Sequence, residues 1–161
     1  INSCVVSVVQ EFCYLGYTLS SDCNDNGAIL KEVRGIYFRG NMLNRNFMMC
    51  NEEVKRHLFL TYCTSFYCCS LWSNFRQDIL QKLHVAHNNI FRLLFKLPRR
   101  GSISHSFMIK DIPNMIVIRR KSIFSLYTRI YKSDNILVST VRDSVHFNFS
   151  NVFDIWKRIL F

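Results

Sequence analysis

The hydrophobic positions of the first twenty residues follow a strand-like pattern. "CVVSVV" from Cys4 is a β-branched run. In "FCYLGYTL", Phe12, Tyr14, Gly16 and Thr18 fall on one side, and Cys13, Leu15, Tyr17 and Leu19 on the other. Both sides carry large apolar groups. Because a two-stranded hairpin alone is only marginally stable, the pattern predicts a strand or short hairpin covered on both faces. "SSDCNDNG" then ends it with turn residues and offers Asn24 or Asp25 as a helix N-cap.

Beyond that turn the period changes to that of a helix. Ile29, Val33, Ile36, Leu43 and Phe47 make one stripe, in a helix that Gly35 and Gly40 each weaken by about 1 kcal/mol relative to Ala. A second helix is predicted from Asn51, a cap followed by Glu52 and Glu53, to about Leu71. A third spans Gln77–Leu97, with Ile79, Leu83, Ala86, Ile90, Leu94 and Leu97 on one face. Leu80, His84, His87 and Phe91 adjoin that face, which makes the two histidines edge-of-core residues. "LPRRGSISHS", Leu97 to Ser106, is the clearest loop. A fourth helix is expected from Pro113 to about Lys132, with shorter ones over Ile136–Arg142 and Asn151–Leu160. The predicted class is mainly α: a short N-terminal β-hairpin or strand followed by a bundle of four to six helices.

At 161 residues, 49% of them apolar and fourteen of them Phe, the chain can bury a real core and is not a disordered segment. It opens in a strand-like run without an initiator Met, and so reads as part of a longer protein. The formal charge is +10, unevenly spread. Residues 1–50 are neutral, whereas between Arg92 and Lys132 ten Lys and Arg face the single Asp111. Such a concentration calls for a polyanion, nucleic acid or an anionic membrane surface. The plain alternative is a solvated basic face.

Residues Leu58–Phe75 carry no charge, and eighteen such residues reach the lower limit of a membrane span. The segment is nevertheless rich in Ser, Thr, Asn and Tyr, and reads better as the central helix of a bundle. The seven cysteines (Cys4, Cys13, Cys23, Cys50, Cys63, Cys68 and Cys69) form an odd set without a CxxC pair. They read as reduced thiols of an intracellular, cytoplasmic or nuclear protein, not a secreted one. Cys68, Cys69, His84 and His87 are donor types that suit zinc. Adjacent cysteines serve one tetrahedral ion poorly, so no metal site is expected.

Catalytic groups are few. Glu52–Glu53 is an adjacent acidic pair with a helix-start role already available, and no HExxH, GxSxG or Gly-rich phosphate loop occurs. Eleven scattered acids do not suggest a two-metal centre. Binding has more support. Lys96, Arg99 and Arg100 lie in and before the loop, Arg119, Arg120 and Lys121 in the next helix, and Arg129 and Lys132 at its end. With the third and fourth helices side by side, these cations would line one positive groove. Ser102, Ser104, His105 and the Gly101 N–H would add neutral donors for phosphate oxygens.

The order of "EFCYLGYTLSSD", "AILKEV", "LFLTYCTSFYCCSLW" and "LQKLHVAHNNIFRLLFKLPRRGSISHSFM" resembles the C-terminal portion of reverse transcriptases of non-LTR, LINE-type retrotransposons. The likeness covers residues 5–132. It rests on Phe12, Tyr14, Leu15 and Gly16; on Leu58 or Leu60, Tyr62, Ser70, Leu71 and Trp72; and on Asn88, Phe91, Arg92, Leu94, Phe95, Leu97, Pro98 and Arg99. It implies a palm-edge, primer-grip-like strand region at 1–22, carried by Phe12, Tyr14, Leu15 and Gly16. It further implies a helical thumb at 23–132 and a helical tail at 133–161. The implied partners are an RNA–DNA or primer–template duplex, held by its backbone and groove shape, and the palm and fingers of the same polyprotein. The family's Ala-Asp-Asp signature is absent, so no residue here is expected to be catalytic. No cofactor is expected in this chain, and magnesium would belong to the missing palm. Two other readings stand beside this one: a helical protein anchored in a membrane through residues 58–75, and a degenerate, nonfunctional remnant.

Overall fold

The computed structural model describes residues 8–161, so the Cys4 run predicted as strand lies partly outside the described residues. Strands β1 (Glu11–Tyr14) and β2 (Tyr17–Ser20) pair antiparallel, Phe12 opposite Leu19 and Tyr14 opposite Tyr17. Eight helices follow: α1 (Asn26–Phe47), α2 (Glu52–Cys63), α3 (Gln77–Leu94), α4 (Ser104–Ile109), α5 (Met115–Tyr131), α6 (Ile136–Asp143), α7 (Val145–Asn148) and α8 (Asn151–Leu160). The protein is thus mainly α behind a short hairpin, as the hydrophobic pattern indicates.

The hairpin resolves the doubly apolar pattern of residues 12–19. Leu15 (φ 48°) and Gly16 (φ 82°) both lie in the left-handed region, so they form the two-residue turn that matches strand twist. Gly16 is therefore a turn residue and not a strand-interior glycine. The turn regroups the side chains, because opposite residues share a face. Phe12, Tyr14, Tyr17 and Leu19 now lie on one side, and Glu11, Cys13, Thr18 and Ser20 on the other. Only one face is apolar, and it is not covered as expected: Phe12, Tyr14 and Leu19 are half exposed.

Three polar contacts tether this hairpin to the helices. The Tyr17 hydroxyl donates to Asp25 Oδ1, the Tyr67 hydroxyl to the Leu15 carbonyl at 2.5 Å, and Lys31 Nζ to the Gly16 carbonyl at 2.9 Å. Burial, and after it the Asp25 carboxylate, raises the Tyr17 hydroxyl above the usual tyrosine range. Asp25 occupies the N-cap position of α1, yet its side chain does not cap that helix. Its Oδ2 instead accepts the backbone N–H groups of Ser73 (2.8 Å) and Asn74 (2.9 Å), while its own N–H donates to the Asn74 carbonyl (2.8 Å). One carboxylate so joins the hairpin, the start of α1 and the approach to α3.

The predicted second helix stops eight residues early. Asn51 caps it, accepting from the Val54 N–H at 2.9 Å, but it ends at Cys63. Thr61 and Thr64 turn their hydroxyls back to the His57 and Leu60 carbonyls (2.9 and 2.6 Å), the competition that makes threonine a poor helix interior residue. The chain then runs irregularly to Arg76, with Cys68 left-handed at φ 54°. Phe66, Cys69 and Trp72 still reach the core. Their spacing of three imitates a helix, but it belongs to a loop that folds over one. No helix among the described residues is long and apolar enough to cross a membrane.

α3 is the central element. Ile79, Leu83, Ala86, Ile90 and Leu94 are buried on the expected face, joined by Phe91 and His87. It ends at Leu94, not Leu97. Lys96 takes the left-handed φ of 53°, and the Leu97 N–H returns to the Arg92 carbonyl at 2.9 Å, which closes a Schellman-type cap. Within the segment read as loop, Ser104–Ile109 forms the short helix α4, whose Phe107 is buried. α5 begins at Met115 behind the cap Asn114, which accepts from the Val117 N–H at 3.0 Å, so Pro113 precedes the helix and does not open it.

α1 lies along α3, whereas α5 packs on α6 and α8. The main core gathers residues from α1 to the first half of α5; a second, smaller cluster joins Ile123 of α5 to Phe153 and Trp156 of α8. The Trp156 indole N–H donates to the Ser70 carbonyl at 2.7 Å and links the second cluster to the loop over the first. At the α1–α3 crossing Gly40 is buried, and a Cβ there would stand 2.3 Å from Ile90 Cγ2. Gly35 differs: its Cβ would meet only the flexible end of Arg39, at 3.1 Å.

Two outcomes follow. Gly40→Ala is expected to destabilise by roughly 1–3 kcal/mol through overpacking, in spite of the gain in helix propensity. Gly35→Ala is expected to be neutral or up to about 1 kcal/mol stabilising. Urea unfolding of both variants checks the contrast. The second outcome concerns His87, which is fully buried with neither ring nitrogen hydrogen-bonded among the described residues. Its ring stacks on Phe107 at 5.5 Å and meets Phe59 edge-on at 5.2 Å. Burial, and after it the nearby His84, lowers its pKa from 6.5 to about 4. Between those values the unfolded chain binds more protons than the folded one, so stability falls as pH drops from 6.5 towards 4, by on the order of 3 kcal/mol. Thermal unfolding of His87→Leu across that window should show the slope largely removed.

Candidate nucleic-acid interface

The cations expected to form one surface are divided by the fold. α3 lies chiefly along α1, and the groove lies between these two helices. It is open and about 800 Å³ in volume. α1 contributes Tyr37, Asn41 and Asn44, spaced four and three residues apart along one face, and α3 with its following loop contributes Asn89, Arg92, Lys96 and Arg99. No carboxylate lines it. Cations, amides and one aromatic ring in a concave, acid-free surface suit a phosphodiester backbone with bases alongside.

Arg92 organises the cationic wall. Its Nη1 donates to the Arg99 carbonyl at 2.6 Å and its Nη2 to the Gly101 carbonyl at 2.9 Å. This planar fork folds the loop back on α3 and holds Arg99 at the groove wall. Lys96, Arg99 and Arg100 are exposed and have no salt-bridge partner among the described residues. Gly101 takes φ 106°, and Ser102, Ser104 and His105 are exposed beside it, Ser104 and His105 opening α4.

The other predicted cations stand apart from this groove. Arg119 is only 9% exposed. Its Nη2 donates to the Trp72 carbonyl at 3.2 Å and its guanidinium lies 4.9 Å from the centre of the Phe75 ring, so it is no surface phosphate contact. Burial lowers its pKa, and the neighbouring Cys69 sulfur and Asp25 carboxylate oppose that effect. Arg120 is exposed and donates to the Leu160 carbonyl at 3.3 Å. Lys121, Arg129 and Lys132 are exposed on α5 and at its C-cap. Lys110 is occupied by Glu52 at 2.6 Å, and Arg56 holds Asp111 at 2.6 Å.

Phe12 and Tyr14 lie on β1, while Leu15 and Gly16 form its turn; none of the four lines the groove. Tyr37, Asn41, Asn44, Asn89 and Arg92 were missing from the sequence-based set. The first three form a polar stripe on α1, visible in the sequence, but its use depends on which helix α1 lies against. Among the described residues no three His, Cys, Asp or Glu side chains gather into a metal-binding group. Of the cysteines, Cys69 is buried, as is Cys63, whose thiol burial pushes up to about 11; Cys13 and Cys23 are exposed.

A scan against family models, a search among curated proteins and a search among solved structures each return no match.

Replacing Arg92 with Lys removes the fork but keeps the charge. Amide hydrogen exchange should then quicken at residues 99–102, with global stability changed by no more than about 1 kcal/mol. Unaltered exchange would show that the loop holds its shape without Arg92.

Proposed function

We propose that this chain is the thumb-like portion of a non-LTR retrotransposon reverse transcriptase, and that it holds an RNA–DNA or primer–template duplex in the α1–α3 groove. The observation that carries the reading is the acid-free wall of Lys96, Arg99 and the Arg92-braced loop opposite Tyr37, Asn41 and Asn44. The ordered motifs of residues 5–132 agree with it independently. Cations would neutralise phosphates and set the position of the strand. The amides and the Tyr37 ring would contact sugars and base edges without selecting a sequence. Arg100 at the loop tip, and Arg120, Lys121, Arg129 and Lys132 on α5, would extend the positive field and speed encounter. In this reading the chain performs no chemistry. Phosphoryl transfer and its magnesium belong to the palm of the same polyprotein, which the hairpin would adjoin.

The test is fluorescence anisotropy with a labelled RNA–DNA hybrid at graded salt. Affinity should fall steeply as salt rises, with no dependence on sequence. The combined variant Lys96→Ala, Arg99→Ala, Arg100→Ala should weaken binding at least tenfold and flatten the salt slope by roughly 2, given about 0.7–0.9 per phosphate contact. Tyr37→Ala with Asn41→Ala should weaken binding while leaving the slope nearly unchanged, because neither side chain is charged. Absence of binding at low salt, or full affinity in the triple variant, would sink the proposal.

A further inference from the structure

Arg119 is a cation removed from water without a salt-bridge partner among the described residues, the Asp25 carboxylate acting on it only from beyond contact. It is nine-tenths buried, and no carboxylate lies within salt-bridge distance among the described residues. Of its five N–H donors one is used, by the Trp72 carbonyl, and Nε is buried with no partner. Burying a charge in this way is costly unless something pairs with it. The same side chain forms part of the wall of a separate cleft between α3, α5 and the end of α8. That cleft holds about 270 Å³ and is lined by Gln77, Gln81, His84, Met115, Arg119 and Ile159 among others, with no acid in the lining. It lies on the N-terminal half of α3, whereas the α1–α3 groove uses the C-terminal half.

We infer that this cleft is a binding site for a small amphipathic carboxylate, whose anionic head pairs with Arg119 and whose apolar body rests on Met115 and Ile159. A guanidinium is suited to a planar carboxylate, and a predominantly apolar pocket with a few convergent polar groups is the usual form of a small-molecule site. Gln77, Gln81 and His84 supply further hydrogen-bonding groups beside the head. The volume admits a body of roughly a dozen non-hydrogen atoms, at the small end of such pockets. The site is independent of the nucleic-acid reading and stands or falls without it.

The experiment titrates the full chain with 4-phenylbutyrate and, separately, with its uncharged amide, following the Met115 methyl and His84 ring signals by NMR. The acid should saturate, move both signals, and bind at least tenfold more tightly than the amide. Arg119→Met should reduce the acid to the level of the amide, and Gln81→Trp, which fills the cleft from an exposed position, should abolish both. Should Arg119→Met fail to fold, the acid–amide comparison and Gln81→Trp decide the matter. Equal binding of acid and amide, acid binding that survives Gln81→Trp, or shifts confined to residues of the α1–α3 groove would overturn the inference.

Discussion

Everything in the larger half of the molecule depends on how closely α1 can seat on α3. The limit is set at Gly40, where the Ile90 side chain occupies the space that any Cβ would need. Around this point Ile36 and Leu43 from one helix, and Leu83, Ala86 and Leu94 from the other, bury their side chains in a shared core. The groove is the outer lip of the same crossing. Its two walls are held together from beneath, where the Gly40 backbone rests on the Ile90 side chain, so recognition and core packing share a constraint. A glycine that weakens a helix considered alone is thereby the residue that makes the helix pair possible.

The hairpin is attached by polar contacts together with the Tyr17 ring, which packs against the main core. Its apolar face remains half exposed, and Tyr17, Tyr67 and Lys31 tie it to the helical body through Asp25 and two turn carbonyls. Charged and neutral hydrogen bonds are directional, so they fix the orientation of the turn without burying much area. Arg92 does the same for the loop after α3. In both places side chains donate two bonds to backbone carbonyls, one each from Tyr67 and Lys31 to the hairpin turn and both from Arg92 to the loop, and so set a surface that packing alone would leave loose.

The class of fold could be read from the sequence because it depends on local periodicity. The stripes of α1 and α3, the Asn51 cap and the terminal helix Asn151–Leu160 are short-range patterns, and each appears in the structure. What escaped depends on tertiary choice. Phe66, Cys69 and Trp72 repeat every three residues in a helix or in a loop lying over a core, and only the threonine hydroxyls before them hinted at the stop. Leu15 and Gly16 looked like strand interior because alternation cannot reveal where a strand turns back. The candidate site was half visible. Lys96, Arg99 and Arg100 follow from charge clustering, whereas Arg119 has the same formula and sits inside, and Tyr37 and Asn41 matter only once α1 is known to be the partner of α3.

The bond from the Trp156 indole to the Ser70 carbonyl spans eighty-six positions of the chain. Closing a loop of that length costs about 4 kcal/mol in chain entropy beyond a constant, only about half a kcal/mol more than bringing Gly40 to Ile90. The second cluster is small, resting on Ile123, Phe153 and Trp156. The bond makes α8 a clasp on the loop that carries Ser70 and Trp72, far along the chain from the α5 cluster to which the helix belongs. Through Trp72, whose carbonyl accepts from Arg119, that clasp also steadies the surroundings of the buried guanidinium.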